Sequence, residues 1–317
     1  MVEEGIKVKE ESVIKLDNER KIGIIYSAAS YTAWGLLPVY WKLLKAVSPG
    51  EILANRIIWS FVFVSLLLLW NGSYKRVKEN LLNRRNMSLI SLASLIVSLN
   101  WFTYIWAVNS NFVLQASMGY YINPLIVSLL SATVFKEKFN RGQSIAIGLA
   151  SIGVVVMTYQ YGKMPWVALI LAITFALYGL IKKLLAVDSL IGLALETVLL
   201  TPFALGFVIY KMIVGTDTIL SLPPASMLIL SLAGIVTATP LVWFARGAQR
   251  VEFATLGFLQ YISPTLSLVL GVFIFKEDFN KLHLISFGFI WLALIIYSIS
   301  TFKLGFNIFR KTATQIK

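Results

Sequence analysis

Apolar residues along this chain arrive in long unbroken runs rather than in the stripes of an amphipathic helix. A helix needs roughly 20 mostly apolar residues to cross a bilayer. Ten such runs can be marked: 22–44, 50–70, 87–109, 114–135, 142–161, 164–185, 189–210, 225–247, 253–275 and 282–303. Most of the connections between them are short, so consecutive helices are expected to be antiparallel neighbours. The stretch 1–21, MVEEGIKVKEESVIKLDNERK, has no sustained apolar run. It reads as a mobile cytoplasmic tail, and 304–317 as a second one. The apolar segment after the first tail is too long for a signal peptide, and no small-residue cleavage site follows it.

Composition agrees with lipid as the main solvent. The 317 residues are 58% hydrophobic and the mean hydropathy is +0.78, where a soluble domain would be about 45–50% apolar. The formal charge of +13 would suit nucleic acid, but cytoplasmic loops of membrane proteins gather Lys and Arg for another reason, the setting of orientation. With the N-terminus inside, 21 Lys and Arg fall on the cytoplasmic side, 6 fall outside, and Arg56 lies within a span. That bias puts both termini in the cytoplasm of a multi-pass plasma (inner) membrane protein, with lipid as a partner and no nucleic acid. There is no cysteine, and the one histidine is His283, so neither a thiol or His-cluster metal site nor a disulfide framework is available. No cofactor is expected.

An internal repeat organises the runs. At an offset of 140 residues, Tyr121, Ile122 and Pro124 fall on Tyr261, Ile262 and Pro264. Phe135, Lys136, Glu137, Phe139 and Asn140 fall on Phe275, Lys276, Glu277, Phe279 and Asn280, and Lys42 falls on Lys182. Met87, Ser91, Leu92 and Ala93 fall on Met227, Ser231, Leu232 and Ala233. Residues 22–161 and 162–303 are thus two five-helix repeats. Five is odd, so the second repeat enters the membrane from the opposite face, an arrangement used by transporters. The expected fold is all-α, with ten helices in two inverted repeats.

The segments AWGLLPVYWKLL (33–44), EILANRIIWS (51–60), NWFTYIWAVNSN (100–111), QASMGYYINPLI (115–126) and LGFLQYISPTL (256–266) resemble the RarD branch of the EamA permeases, within the drug/metabolite transporter superfamily. The resemblance covers residues 22–303. It implies ten helices, two repeats and a central pathway formed by helices 1, 3, 4, 6, 8 and 9, without implying a substrate.

Several residues are candidates for that pathway. Pro124 and Pro264 sit inside spans, preceded by Asn123 and Ser263. Proline frees a helix carbonyl, and in hydrocarbon that is tolerated only beside protein or a watery cavity. Asn123 and Ser263 are placed to satisfy such groups. Pro38 and Pro240 are further kink sites. Trp34, Asn100, Trp101, Tyr104, Tyr120, Tyr178, Gln260 and Tyr261 are the aromatic and amide side chains that could line a pathway, with helix packing as the alternative. Trp41, Trp70 and Trp166 read as interface anchors. Arg56 and Glu196 are the two clearest charges within spans, at equivalent positions in the repeats. Intramembrane charge points to function; the structural alternative for Arg56 is a side chain reaching outward toward Glu51. Lys136, Glu137, Lys276 and Glu277 read as helix-end structure, and Gly142, Ala146 and Ala150 as a close-packing stripe. The expected function is a permease for an amino-acid-like or amphipathic metabolite, working by efflux or exchange. Drug efflux by proton antiport is the alternative, with a channel or a membrane-embedded enzyme further behind.

Overall fold

A computed structural model describes residues 2–44, 46–109, 113–162, 164–185, 187–274 and 281–314. The second copy of the repeated motif, 275–280, lies outside the described residues. The elements are helical: α1 (Val2–Lys42), α2 (Pro49–Trp70), α3 (Tyr74–Leu82), α4 (Arg84–Asn109), α5 (Val113–Val134), α6 (Arg141–Tyr161), α7 (Trp166–Leu184), α8 (Ser189–Ile213), α9 (Pro224–Ala248), α10 (Phe253–Leu259), α11 (Ile262–Val269), a π-helical turn (Leu270–Ile274) and α12 (Lys281–Thr314). Eight segments among the described residues are long and apolar enough to cross a membrane. Met118–Val134 and Leu284–Ser300 are shorter apolar stretches, so helix covers each of the ten apolar runs. Two boundaries differ from those the hydropathy suggests. α1 continues back to Val2 through the segment read as a tail, and α12 continues to Thr314. α3, in a charged stretch, is an extra helix.

Local chemistry sets the helix ends. Pro49 opens α2 behind Ser48, whose Oγ accepts from Glu51 N. Asn140 and Gln143 form a reciprocal capping box on α6, and the Asp188 carboxylate accepts from Leu190 N and Ile191 N at the start of α8. Each satisfies N–H groups that a helix cannot pair within itself.

Between helices the chain packs by close approach. α6 lies along α12, α5 along α7, α2 along α8 and α9, α1 along α9 and α11, and α4 along α7 and α8. Ala146 and Ala150, in the small-residue stripe of α6, are fully buried with Ile290, Ala293 and Tyr297 of α12. A Cβ on Gly153 would lie 2.8 Å from Ser286 O, so glycine lets the two backbones meet. With no hydrophobic drive between helices in lipid, such packing is the main source of association. Outer faces stay apolar: Leu66, Leu69, Leu95, Phe203 and Ile209 are exposed, as lipid contact requires.

Candidate functional site

Five helices converge on Arg56 of α2. Its guanidinium carbon lies 5.0 Å from the Trp41 ring centre and 5.1 Å from that of Trp101. Nε donates to Thr237 Oγ1 at 3.0 Å. Tyr104 and Tyr120 are within electrostatic range of the guanidinium, and their rings meet edge-on at 6.1 Å. Trp41 belongs to α1, Trp101 and Tyr104 to α4, Tyr120 to α5 and Thr237 to α9. A point shared by five helices is interior, yet Tyr104 and Tyr120 are 39% and 37% exposed. Their exposure is therefore toward an internal space. No carboxylate pairs with Arg56 among the described residues. Glu51, the partner expected for an outward-reaching arginine, is occupied elsewhere: it accepts from Ser48 Oγ at 2.5 Å and from Thr218 N and Oγ1 at 2.7 Å. Two cation–π contacts contribute roughly 0.5–2 kcal/mol each, against several kcal/mol for taking a cation out of water. The rings offset only part of that cost, so the site retains a demand for negative charge or water.

The equivalent position in the second repeat is resolved differently. Glu196 Oε1 accepts from Lys182 Nζ at 2.6 Å, and both side chains are buried. Tyr178 OH donates to Glu196 Oε2 at 3.3 Å. Lys182 is thus a buried partner of an internal acid, not a cytoplasmic loop charge. Above it Tyr178 stacks on Phe244 at 5.9 Å, and Tyr31, Trp34 and Phe175 close around Phe244. Trp34 and Tyr178 stand in this aromatic plug, apart from the Arg56 site.

A third group holds helices together. Asn100 Nδ2 donates to Leu171 O at 3.0 Å and Thr174 Oγ1 at 2.8 Å. Asn123 Nδ2 donates to Ala172 O at 2.5 Å, while its buried Oδ1 has no partner among the described residues. Both amides tie to α7 rather than to carbonyls of their own helices. Tyr121 OH donates to Pro264 O at 3.1 Å, and Tyr261 OH donates to Tyr121 O at 3.3 Å, so the two repeat-related tyrosines reach across to each other's helix. Gln260 is buried and Ser263 half-buried.

The prolines act unequally. Pro38, Pro124 and Pro240 lie inside continuous helices. Before Pro264 the chain breaks between α10 and α11, and Ser263 N takes the freed Gln260 O at 3.1 Å. It is the backbone of Ser263 that satisfies this carbonyl. Pro202, inside α8, is a further proline within a helix that the sequence reading passed over. The reading also passed over Trp41 as a wall of the site, Thr237, and the plug residues Tyr31 and Phe175. Trp41 looked like an interface anchor because it stands near a helix end. Thr237 carried a usable signal, a hydroxyl three residues before Pro240 in an apolar run. No group of three His, Cys, Asp or Glu side chains comes together among the described residues.

Comparison with known proteins adds a consistent set of likenesses. The sequence model of the EamA-like transporter family matches residues 21–159 and again 163–299. The chain is 45% identical over 291 residues to "Uncharacterized transporter YojE" of Bacillus subtilis, covering 90% of this chain and 96% of that protein. It is 41% identical to "Protein RarD" of Streptomyces exfoliatus, covering 89% and 90%, and 37% identical to "Protein RarD" of Escherichia coli, covering 87% and 93%. A solved structure titled "Crystal structure of protein" superposes with a TM-score of 0.65 at 18% identity over 87% of this chain and 97% of that one, a likeness of fold.

Proposed function

Because this chain belongs to the EamA-like transporter family, we propose that it is a ten-span secondary permease of two inverted five-helix repeats. It moves an amino-acid-like or small amphipathic metabolite outward or by exchange across the plasma membrane. Both termini are cytoplasmic, and the pathway passes the Arg56 site and the aromatic plug.

The observation that carries this reading is the symmetry of the helix pairing. Exchanging first-repeat helices for their second-repeat counterparts turns the α1–α9 contact into α7–α4, the α1–α11 contact into α7–α5, and the α2–α9 contact into α8–α4, all of which occur. α2–α8 and α6–α12 exchange onto themselves. Two halves related in this way support two states of similar energy, one open to each face. The ion pairs Arg20–Glu252 and Arg250–Glu19 sit toward the end of α1 where the chain begins, with the aromatic plug at Tyr31 and Trp34 about midway along its apolar span. The Arg56 site sits toward the other end. That supports a conformation closed on the first side.

Glu196 is engaged by Lys182 in a buried ion pair, which gives it a packing role rather than a coupling role. Facilitated flux or exchange follows, rather than proton-coupled drug antiport. The sequence has no GxxxxGK[ST] loop, so direct drive by ATP is not part of the reading. The test is counterflow in liposomes of the purified protein against amino acids, amphipathic amines and sugars. Saturating flux of at least one solute, little changed by an imposed pH gradient, is expected. Flux that never saturates would mean a channel, and flux abolished without a proton gradient would mean antiport.

A further inference from the structure

We propose that Arg56 is the anion-recognising residue of the pathway, and that the transported solute carries a carboxylate joined to an apolar or aromatic body. The inference deepens the permease reading and rests on it.

The guanidinium has five N–H donors in one plane. Nε is engaged by Thr237, which fixes the fork, and neither Nη has an acceptor among the described residues. That free edge is the one that matches two carboxylate oxygens. The faces are flanked by Trp41 and Trp101, so an incoming group is steered to the edge. Tyr104 and Tyr120 stand beside it, each more than a third exposed, and offer hydroxyl donors and ring faces.

The sign and size of the charge narrow the class. Arg56 is one positive charge with no acid partner among the described residues, and one negative charge balances it. A carboxylate supplies one. An ordinary phosphate monoester brings nearly two, one more than the Arg56 charge balances. The other repeat shows what a protein-satisfied version looks like: its acid, Glu196, already has its lysine. Of two equivalent intramembrane charges, only Arg56 is left for a solute.

The absence of cysteine makes a direct test available. A Tyr104→Cys variant is labelled with a hydrophilic methanethiosulfonate, and protection is titrated with 3-phenylpropionate, phenylalanine, 3-phenylpropionamide, phenethylamine and phenyl phosphate. The carboxylates should slow labelling, with the amide, amine and phosphate at least about tenfold weaker, as expected when a charged hydrogen bond is lost. Adding Arg56→Gln should remove the protection, read as the ratio of labelling rates with and without the carboxylate in the same variant, because loss of the neighbouring cation also alters thiolate reactivity. Arg56→Lys should keep part of it, and Thr237→Val should weaken it. Calorimetric titration of 3-phenylpropionate into the unaltered protein covers the case in which Tyr104→Cys damages the site. Equal protection by the amide, protection that survives Arg56→Gln, or no carboxylate effect in either measurement would overturn the proposal. Saturable counterflow of some other solute would then leave the permease reading standing.

Discussion

Lys182 and Glu196 are 2% and 3% exposed and 2.6 Å apart. Removing one charge strands the other in a low-dielectric interior, which costs about 3–5 kcal/mol, whereas removing both is far cheaper. Lys182→Met or Glu196→Gln alone should therefore lower the Tm of the purified protein, and the double variant should recover most of the loss. Equal Tm in all three would show that the pair is not coupled. Reactivity offers a second check at this scale. Cysteine at Tyr104 or Tyr120 should label readily with hydrophilic reagents, while cysteine at Asn123 or Tyr261, 1% and 0% exposed, should label at least about tenfold more slowly, since burial blocks access. Similar rates at all four would put an open pathway along α5 and the α10–α11 break. The sequence exposed Arg56 and Glu196 because a charge in an apolar run is conspicuous. It hid Lys182, because a lysine at the end of a span reads as a loop charge until folding sets it against α8.

Elements were legible to the extent that they are apolar. Each of the ten runs is helical, whereas α3 is short and basic and has the composition of a loop. The two Tyr-Ile-x-Pro segments look alike in sequence, yet α5 stays continuous and its counterpart breaks into α10 and α11. The difference lies in tertiary partners that no local pattern reports. Asn123 anchors to α7, while the Gln260–Ser263 turn closes on itself. The repeated FKE motif does read as helix-end chemistry at its first copy, with a longer reach than sequence suggests. Glu137 accepts from Phe253 N at 2.8 Å and Ala254 N at 3.2 Å, so it caps α10 from the end of α5. Ser131 Oγ donates to the same carboxylate. Glu137→Ala should cost about 1–2 kcal/mol locally and speed amide exchange at Phe253–Leu256, with Glu137→Gln intermediate. Unchanged exchange would show that the cap contributes nothing to this helix end.

For the whole molecule the repeat is the organising fact. A single offset of 140 residues relates Tyr121 to Tyr261 and Arg56 to Glu196 in sequence, and in the fold the first pair meets across the two halves. The second pair is split into a site whose cation has no acid partner among the described residues and a buried ion pair. Repetition was readable from sequence because it leaves matched polar residues among interchangeable apolar ones. The departure from symmetry was not, because it depends on which side chains α9, α4 and α7 bring to each charge. Inversion is the claim on which alternating access rests, and topology reporters test it directly. Fusions carrying a reporter active on only one side of the membrane, placed at Lys138 and at Lys276, sit in the same motif of the two repeats. An inverted repeat places Lys138 in the cytoplasm and Lys276 outside, so the two fusions should give opposite signals. The same signal from both would contradict the inverted architecture.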